Sequence, residues 1–176
     1  MNTISQIPQI AQLLKGSNYI DIKTIEGQTS LRQFIASMLS YYPGWIVFLY
    51  RIRTLLVKLL GLVEHPAPET LPKLGPQDVS FVVGETVTFF TVWSAEEKYY
   101  WVGETPEDKH LSAYFAVVAE PTEGNRKRFH VATIVYYRHW TGPVYFNLIR
   151  PFHHLVVGRM MRAGVHRANW DEAPSA

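Results

Sequence analysis

Cysteine is absent from this 176-residue chain. That excludes disulfides, thiolate nucleophiles and cysteine-held metals, and leaves the redox compartment open. Charge is scarce at 18%, against about 25% in an average domain. No long apolar run exists. The longest stretch without a formal charge, residues 33–50, holds Gln33, two serines, Pro43 and Gly44, whereas a membrane span needs about 20 mostly apolar residues. Residues 1–16 place no basic residue ahead of an apolar run, so they make a poor signal peptide. A soluble, cytoplasmic protein is the expectation. Also missing are a Gly-rich phosphate loop, a dinucleotide fingerprint, a Gly-x-Ser-x-Gly elbow and a His-Glu-x-x-His pair. Seven histidines are present, but His153 and His154 diverge by about 100° on a helix. No metal and no cofactor is expected.

What is there is apolar and aromatic. Hydrophobic residues make up 47% and aromatics 14%, a composition that excludes intrinsic disorder. The length suits one domain over residues 1–176, with its core at about 17–165 and a loose tail at 167–176. Charge is segregated. Residues 64–125 hold eleven acidic and three basic residues, residues 126–170 eight basic and no acidic, and residues 28–63 four basic and no acidic. Opposed segments of one fold explain this, and so does a basic face for an anionic ligand or lipid headgroups. The helical basic residues are spaced rather than clustered, and no nucleic-acid motif accompanies them, so no nucleic acid is expected.

Residues 19–25 alternate as a strand. Thr29 or Ser30 then caps a helix to about Ser40, and Pro43-Gly44 opens a second helix over about 45–60. Residues 65–76 carry four prolines and read as a connector. Strands follow at 79–83, 86–94, 98–104, 109–120 and 128–140, with a hairpin turn at 95–97. Their short connections argue for antiparallel pairing. A helix from Thr141-Gly142 to about Arg162 takes Pro143 in its first turn and a kink at Pro151. This is an α+β order, a sheet with helices on one face.

The order resembles the helix-grip fold of the START and plant-allergen-like (SRPBCC) superfamily, a curved antiparallel β-sheet wrapped around a long C-terminal α-helix, with two helices after the first strand. Within it the chain is similar to a bacterial family of uncharacterised domains. The match is carried by Pro43-Gly44-Trp45, Arg53, Leu59-Leu60-Gly61-Leu62, Gly103, Asp108-Lys109-His110-Leu111, Thr133, Val135, His139, Gly142, Tyr145 and Pro151-Phe152-His153. Ser112, Tyr114 and Trp140 depart from the expected Asp, Arg and Asn. The resemblance implies a cavity between sheet and C-terminal helix.

Candidate residues for such a cavity follow from periodicity. His153 lies on the apolar face of the last helix with Phe146, Ile149, Val157 and Met160, while His154 points away toward solvent. Thr133, Tyr137 and His139 share the more apolar face of the last strand. His139 either faces the pocket or ends the strand and fixes the turn. Arg53 lies within the apolar arc of the second helix, where it snorkels, pairs internally or faces a ligand. Asp108 and His110 form either an ordinary turn or a carboxylate–histidine pair.

Three functions fit. One is a binding protein for a hydrophobic or amphipathic small molecule. Another is a cyclase-like enzyme using His153 or His139 beside Arg53. A third is an interaction module whose basic last helix and Trp140 meet a membrane surface or a partner, with Leu148 and Leu155 suggesting a homodimer.

Overall fold

A computed structural model describes residues 3–59, 73–106 and 110–171, the side chains of 56–59 and 167–171 excepted. The expected stop at Gly61, most of the 65–76 connector and Asp108 lie outside the described residues. After a short 3-10 turn, the elements are α1 (Pro8–Leu14), β1 (Tyr19–Gly27), α2 (Leu31–Leu39), α3 (Gly44–Leu59), β2 (Thr86–Val87), β3 (Phe90–Glu96), β4 (Tyr100–Glu104), β5 (Leu111–Pro121), β6 (Lys127–Tyr137) and α4 (Thr141–Asp171). The six strands form one sheet in the order β1-β6-β5-β4-β3-β2, and every neighbouring pair is antiparallel.

Strand periodicity divides the core into two clusters. On the inner face Val92, Trp101, Phe115, Val117, Phe129 and Val131 pack with α2 and α4. On the outer face Tyr100, Val102, Ala116, Val118, Ala132 and Ile134 pack with Ile4, Ile10 and Leu13. The expected core boundary at residue 17 is therefore corrected: the N-terminal segment covers a second apolar face. Tyr136 donates its hydroxyl proton to the Leu13 carbonyl and ties α1 to β6.

α2 fills the centre of the inner face. The Ser30 hydroxyl caps it, accepting from the Gln33 amide at 3.1 Å. Phe34 is fully buried and stacks on Phe129, with ring centroids 4.2 Å apart and planes 3° from parallel. α4 crosses over α2 at Gly164, where an added Cβ would sit 2.9 Å from the Phe34 ring and 3.1 Å from its carbonyl oxygen.

Several sequence boundaries shift for visible reasons. Residues 79–83 are irregular rather than a strand. The Val79 carbonyl accepts from Arg32 at 2.5 Å and the Ser80 carbonyl from the Trp101 indole at 3.0 Å, so side chains take acceptors that a ladder would use. The strand expected at 86–94 is broken by Thr88, at φ 58°. The hairpin turn falls at 97–99 rather than 95–97, with Lys98 at φ 75°. β6 ends at Tyr137 because the next two amides turn to the His110 carbonyl, at 2.9 and 3.3 Å. α4 passes through Pro151 and continues to Asp171, so the tail expected to be loose from 167 is helical for five more residues.

Adding a methyl at Gly164 removes a helix-interior glycine, which by propensity alone gains about 1 kcal/mol. The buried Phe34 ring has nowhere to go. Gly164→Ala is expected to destabilise the fold by about 1–3 kcal/mol, read as a lower urea midpoint. A raised midpoint would contradict the close α2–α4 contact.

Candidate functional site

β6 presents Phe129, Val131, Thr133 and Val135 to the inner side, all buried. α4 lies across this row. His153 comes down on Thr133, with Nε2 and Oγ1 3.0 Å apart. Phe146 lies one side of it, with ring centroids 6.5 Å apart, and Tyr137 stands 6.2 Å beyond Phe146. Val157 is buried deeper in the core and Ile149 is partly buried between the turns of Phe146 and His153. Thr133, Tyr137, Phe146 and His153 therefore form one contiguous patch.

The other two candidate residues sit apart from that patch. Arg53 donates from Nε to the Tyr145 hydroxyl at 2.5 Å and ties α3 to α4. Its guanidinium also lies 5.8 Å from the Tyr145 ring centroid and 6.0 Å from that of Tyr50. His139 is exposed, beyond the end of β6. Its Nδ1 lies 2.9 Å from Thr141 Oγ1, which His110 Nδ1 also approaches at 2.7 Å. Gly142 is needed there, because a Cβ would come within 2.6 Å of the His110 carbonyl oxygen. His110, His139, Thr141 and Gly142 thus build the junction between β6 and α4.

A second polar group was not foreseen. Tyr19, Asp21 and Lys23 alternate along β1 and stand opposite Val135, Thr133 and Val131 of β6, on the inner side of the sheet. His154, expected in solvent, reaches into them. Its Nε2 lies 2.8 Å from the Tyr19 hydroxyl and its Nδ1 3.1 Å from Lys23 Nζ. Asp21 Oδ2 is 3.1 Å from that Nδ1 and 3.2 Å from Lys23 Nζ. It is buried and in hydrogen-bonding alignment with neither. The Tyr19 ring packs on Phe146 at 4.7 Å, and the Arg150 guanidinium lies 5.8 Å from the Tyr19 centroid. The helical wheel explains the correction. Arg150 and His154 share a flank of α4 at one end of its apolar arc, and that flank overhangs β1 at the sheet edge.

Burial holds His153 well below the ordinary imidazole value, at about 4, partly offset by the Asp21 carboxylate. His153 is neutral at pH 7. Burial and the nearby Asp21 carboxylate raise the Tyr19 phenol, which keeps its proton.

Two concave regions formed by described residues lie on the outer side of the sheet. An open groove of about 500 Å³ runs between the N-terminal segment (Thr3, Ile7, Gln9) and the ends of β4 and β5 at Tyr100, Val118 and Glu120. A smaller hollow of about 270 Å³ is lined by Leu13, Ser112, Tyr114, Tyr136 and Arg138. Between sheet and α4 the described side chains of α2 pack directly on the inner face.

A six-stranded antiparallel sheet gripping a long C-terminal helix, with two helices after its first strand, is the helix-grip fold of START-like and plant-allergen-like proteins. Within it, the chain belongs to the family described as Protein of unknown function (DUF2867), which it matches over residues 13–160. The chain is similar to norcoclaurine synthase from Thalictrum flavum, solved in complex with dopamine and hydroxybenzaldehyde. Identity is 13%, coverage 89% of each chain and the TM-score 0.47. It is also similar to a START superfamily protein from Mycobacterium smegmatis, at 15% identity and a TM-score of 0.45, covering 84% of this chain and 97% of that one. At these scores the fold assignment rests on strand order and helix placement alone. The comparison with curated proteins gave no match.

The depressed His153 value ties stability to pH. Below its unfolded value near 6.5 the unfolded chain takes up a proton that the folded one refuses. Its contribution is complete above pH 6.5 and is lost as pH falls to about 4. His153→Gln keeps a partner for Thr133 and removes this titration. The stability lost between pH 6.5 and 4 is expected to be about 2–3 kcal/mol smaller in the variant. Parallel stability–pH curves would refute a buried neutral imidazole.

Proposed function

We propose that the protein binds an apolar or amphipathic small molecule at the interface of β6 and α4, against Thr133, Tyr137, Phe146, Ile149 and His153. The observation that carries this reading is the His153–Thr133 pair, at 3.0 Å, set in the row of buried apolar residues Phe129, Val131 and Val135 that β6 turns inward. A few placed polar groups in an apolar lining are the usual make-up of small-molecule sites. Thr133 is buried and His153 is neutral, so the pair can fix a polar end without bringing a charge. Because α2 fills the centre of the core, the ligand's place is under the first half of α4, between Phe146 and His153. There Arg53 on Tyr145 closes one end and Val157 marks the floor. His139 acts through the junction that aims α4 rather than by contact. An enzyme pairing His139 with Arg53 is disfavoured by their separate partners.

Nile red, a neutral apolar dye, is expected to give a saturable one-to-one isotherm. Ile149→Trp places a larger ring beside His153 and is expected to weaken it about tenfold, equivalent to about 1.4 kcal/mol. Non-saturable uptake, or an isotherm indifferent to Ile149→Trp, would sink the reading.

A second reading concerns the outer side of α4. Val144, Leu148, Phe152 and Leu155 are all exposed there. They fall within one narrow arc of the helix with exposed Arg159 and Arg162. An apolar stripe flanked by arginines suits an anionic membrane surface. Co-sedimentation with phosphatidylserine vesicles, lost on Leu148→Glu, is the expected behaviour. No binding at low salt would reject it.

A further inference from the structure

The β1–α4 cluster has more positive than negative charge. Lys23 and Arg150 supply two cations and Asp21 one carboxylate, and among the described residues no other carboxylate lies in the group. Arg150 is exposed and has no carboxylate partner among the described residues. Lys23 already pairs with Asp21 at 3.2 Å, so Arg150 is a cation in excess of that pair.

Proton bookkeeping points the same way. A lysine ammonium has only donors, so His154 Nδ1 accepts from Lys23 across their 3.1 Å contact. In the neutral ring the proton then sits on Nε2 and is donated to the Tyr19 oxygen, 2.8 Å away. That agrees with Asp21 Oδ2 receiving no hydrogen bond from the ring. The Tyr19 O–H proton is left over, on a phenol that stays protonated. Among the described residues it is an unused donor, on a ring whose centroid lies 5.8 Å from the Arg150 guanidinium and which continues the apolar patch through Phe146.

We propose that Tyr19, Lys23 and Arg150 form a subsite for an anionic oxygen, and that the ligand is therefore a small amphipathic acid whose carboxylate or phenolate sits at β1. His154 and Asp21 are positioning residues: His154 turns the Tyr19 hydroxyl outward and Asp21 holds Lys23. This rests on the β6–α4 interface as the place of the ligand's apolar body, and it adds the sign and site of its charge.

The test compares 1-naphthoate with its uncharged counterpart 1-naphthamide on the full chain, by displacement of Nile red. Naphthoate is expected to bind about tenfold tighter at pH 7, the margin of a charge-assisted over a neutral hydrogen bond. Arg150→Gln alters an exposed side chain, and Tyr19→Phe keeps the ring. Each is expected to bring the two probes to within about threefold, while Nile red affinity is retained. His154→Asn is expected to reduce naphthoate preference without altering naphthamide affinity. Equal affinities in the native protein, or a preference that survives both Arg150→Gln and Tyr19→Phe, would overturn the subsite while leaving the apolar reading in place. Absence of binding by Nile red and by both naphthalene probes would overturn both. Competition by acetate as strong as that by naphthoate would make the cluster a bare anion site and refute an amphipathic ligand.

Discussion

The inner half of this molecule depends on one contact, the face-on stack of Phe34 against Phe129. It joins α2 to the strand that neighbours β1, and α4 reaches the same ring through the missing side chain of Gly164. Three layers therefore meet at a single aromatic ring with no exposed surface. Close-packed interiors respond to volume changes of one methylene. The stack consequently fixes how deep α4 can lie, and the depth of α4 decides that His153 reaches Thr133 while His154 reaches over the edge to β1.

The order of helices and strands was legible in the sequence, because it depends on local periodicity and on turn residues. The cap at Ser30, the helix start at Gly44 and the inward row of β6 all follow from residues close together in the chain. What was not legible depended on distant partners. Tyr19, Asp21 and Lys23 alternate with Ile20 and Ile22, and alternation alone would turn the isoleucines to the core and the polar set to water. The reverse holds because α1 covers the outer face, where Ile22 packs, and α4 supplies polar partners for the inner one. A short amphipathic N-terminal segment with buried Ile4, Ile10 and Leu13 was the available signal for that cover. The strand expected at residues 79–83 failed for a related reason, since Arg32 and Trp101 take its carbonyls from far along the chain.

The candidate site was partly legible for the same reason. His153 and Phe146 share a helical stripe and Thr133 and Tyr137 share a strand face, so pattern alone brings them together. Arg53 and His139 take partners that their own elements' patterns do not reveal: one links two helices and the other builds a corner. His154 shows the limit of a wheel drawn on one helix. Its flank is polar because it meets the polar side of β1, and no single-element pattern separates such a flank from one facing water.

α4 is held near both ends. At its start the Gly142 backbone rests on the His110 carbonyl, and toward its far end Gly164 rests on Phe34. Pro151 lies between these two supports, and lacking an N–H it leaves the Asn147 carbonyl without its helical partner. The helix is a beam pinned at two points with its one weakened turn at mid-span. Load applied along it concentrates there, one turn from His153 and His154. In the proposed binding reading, the turn that yields to a ligand is the turn that carries His153, and neither anchor releases.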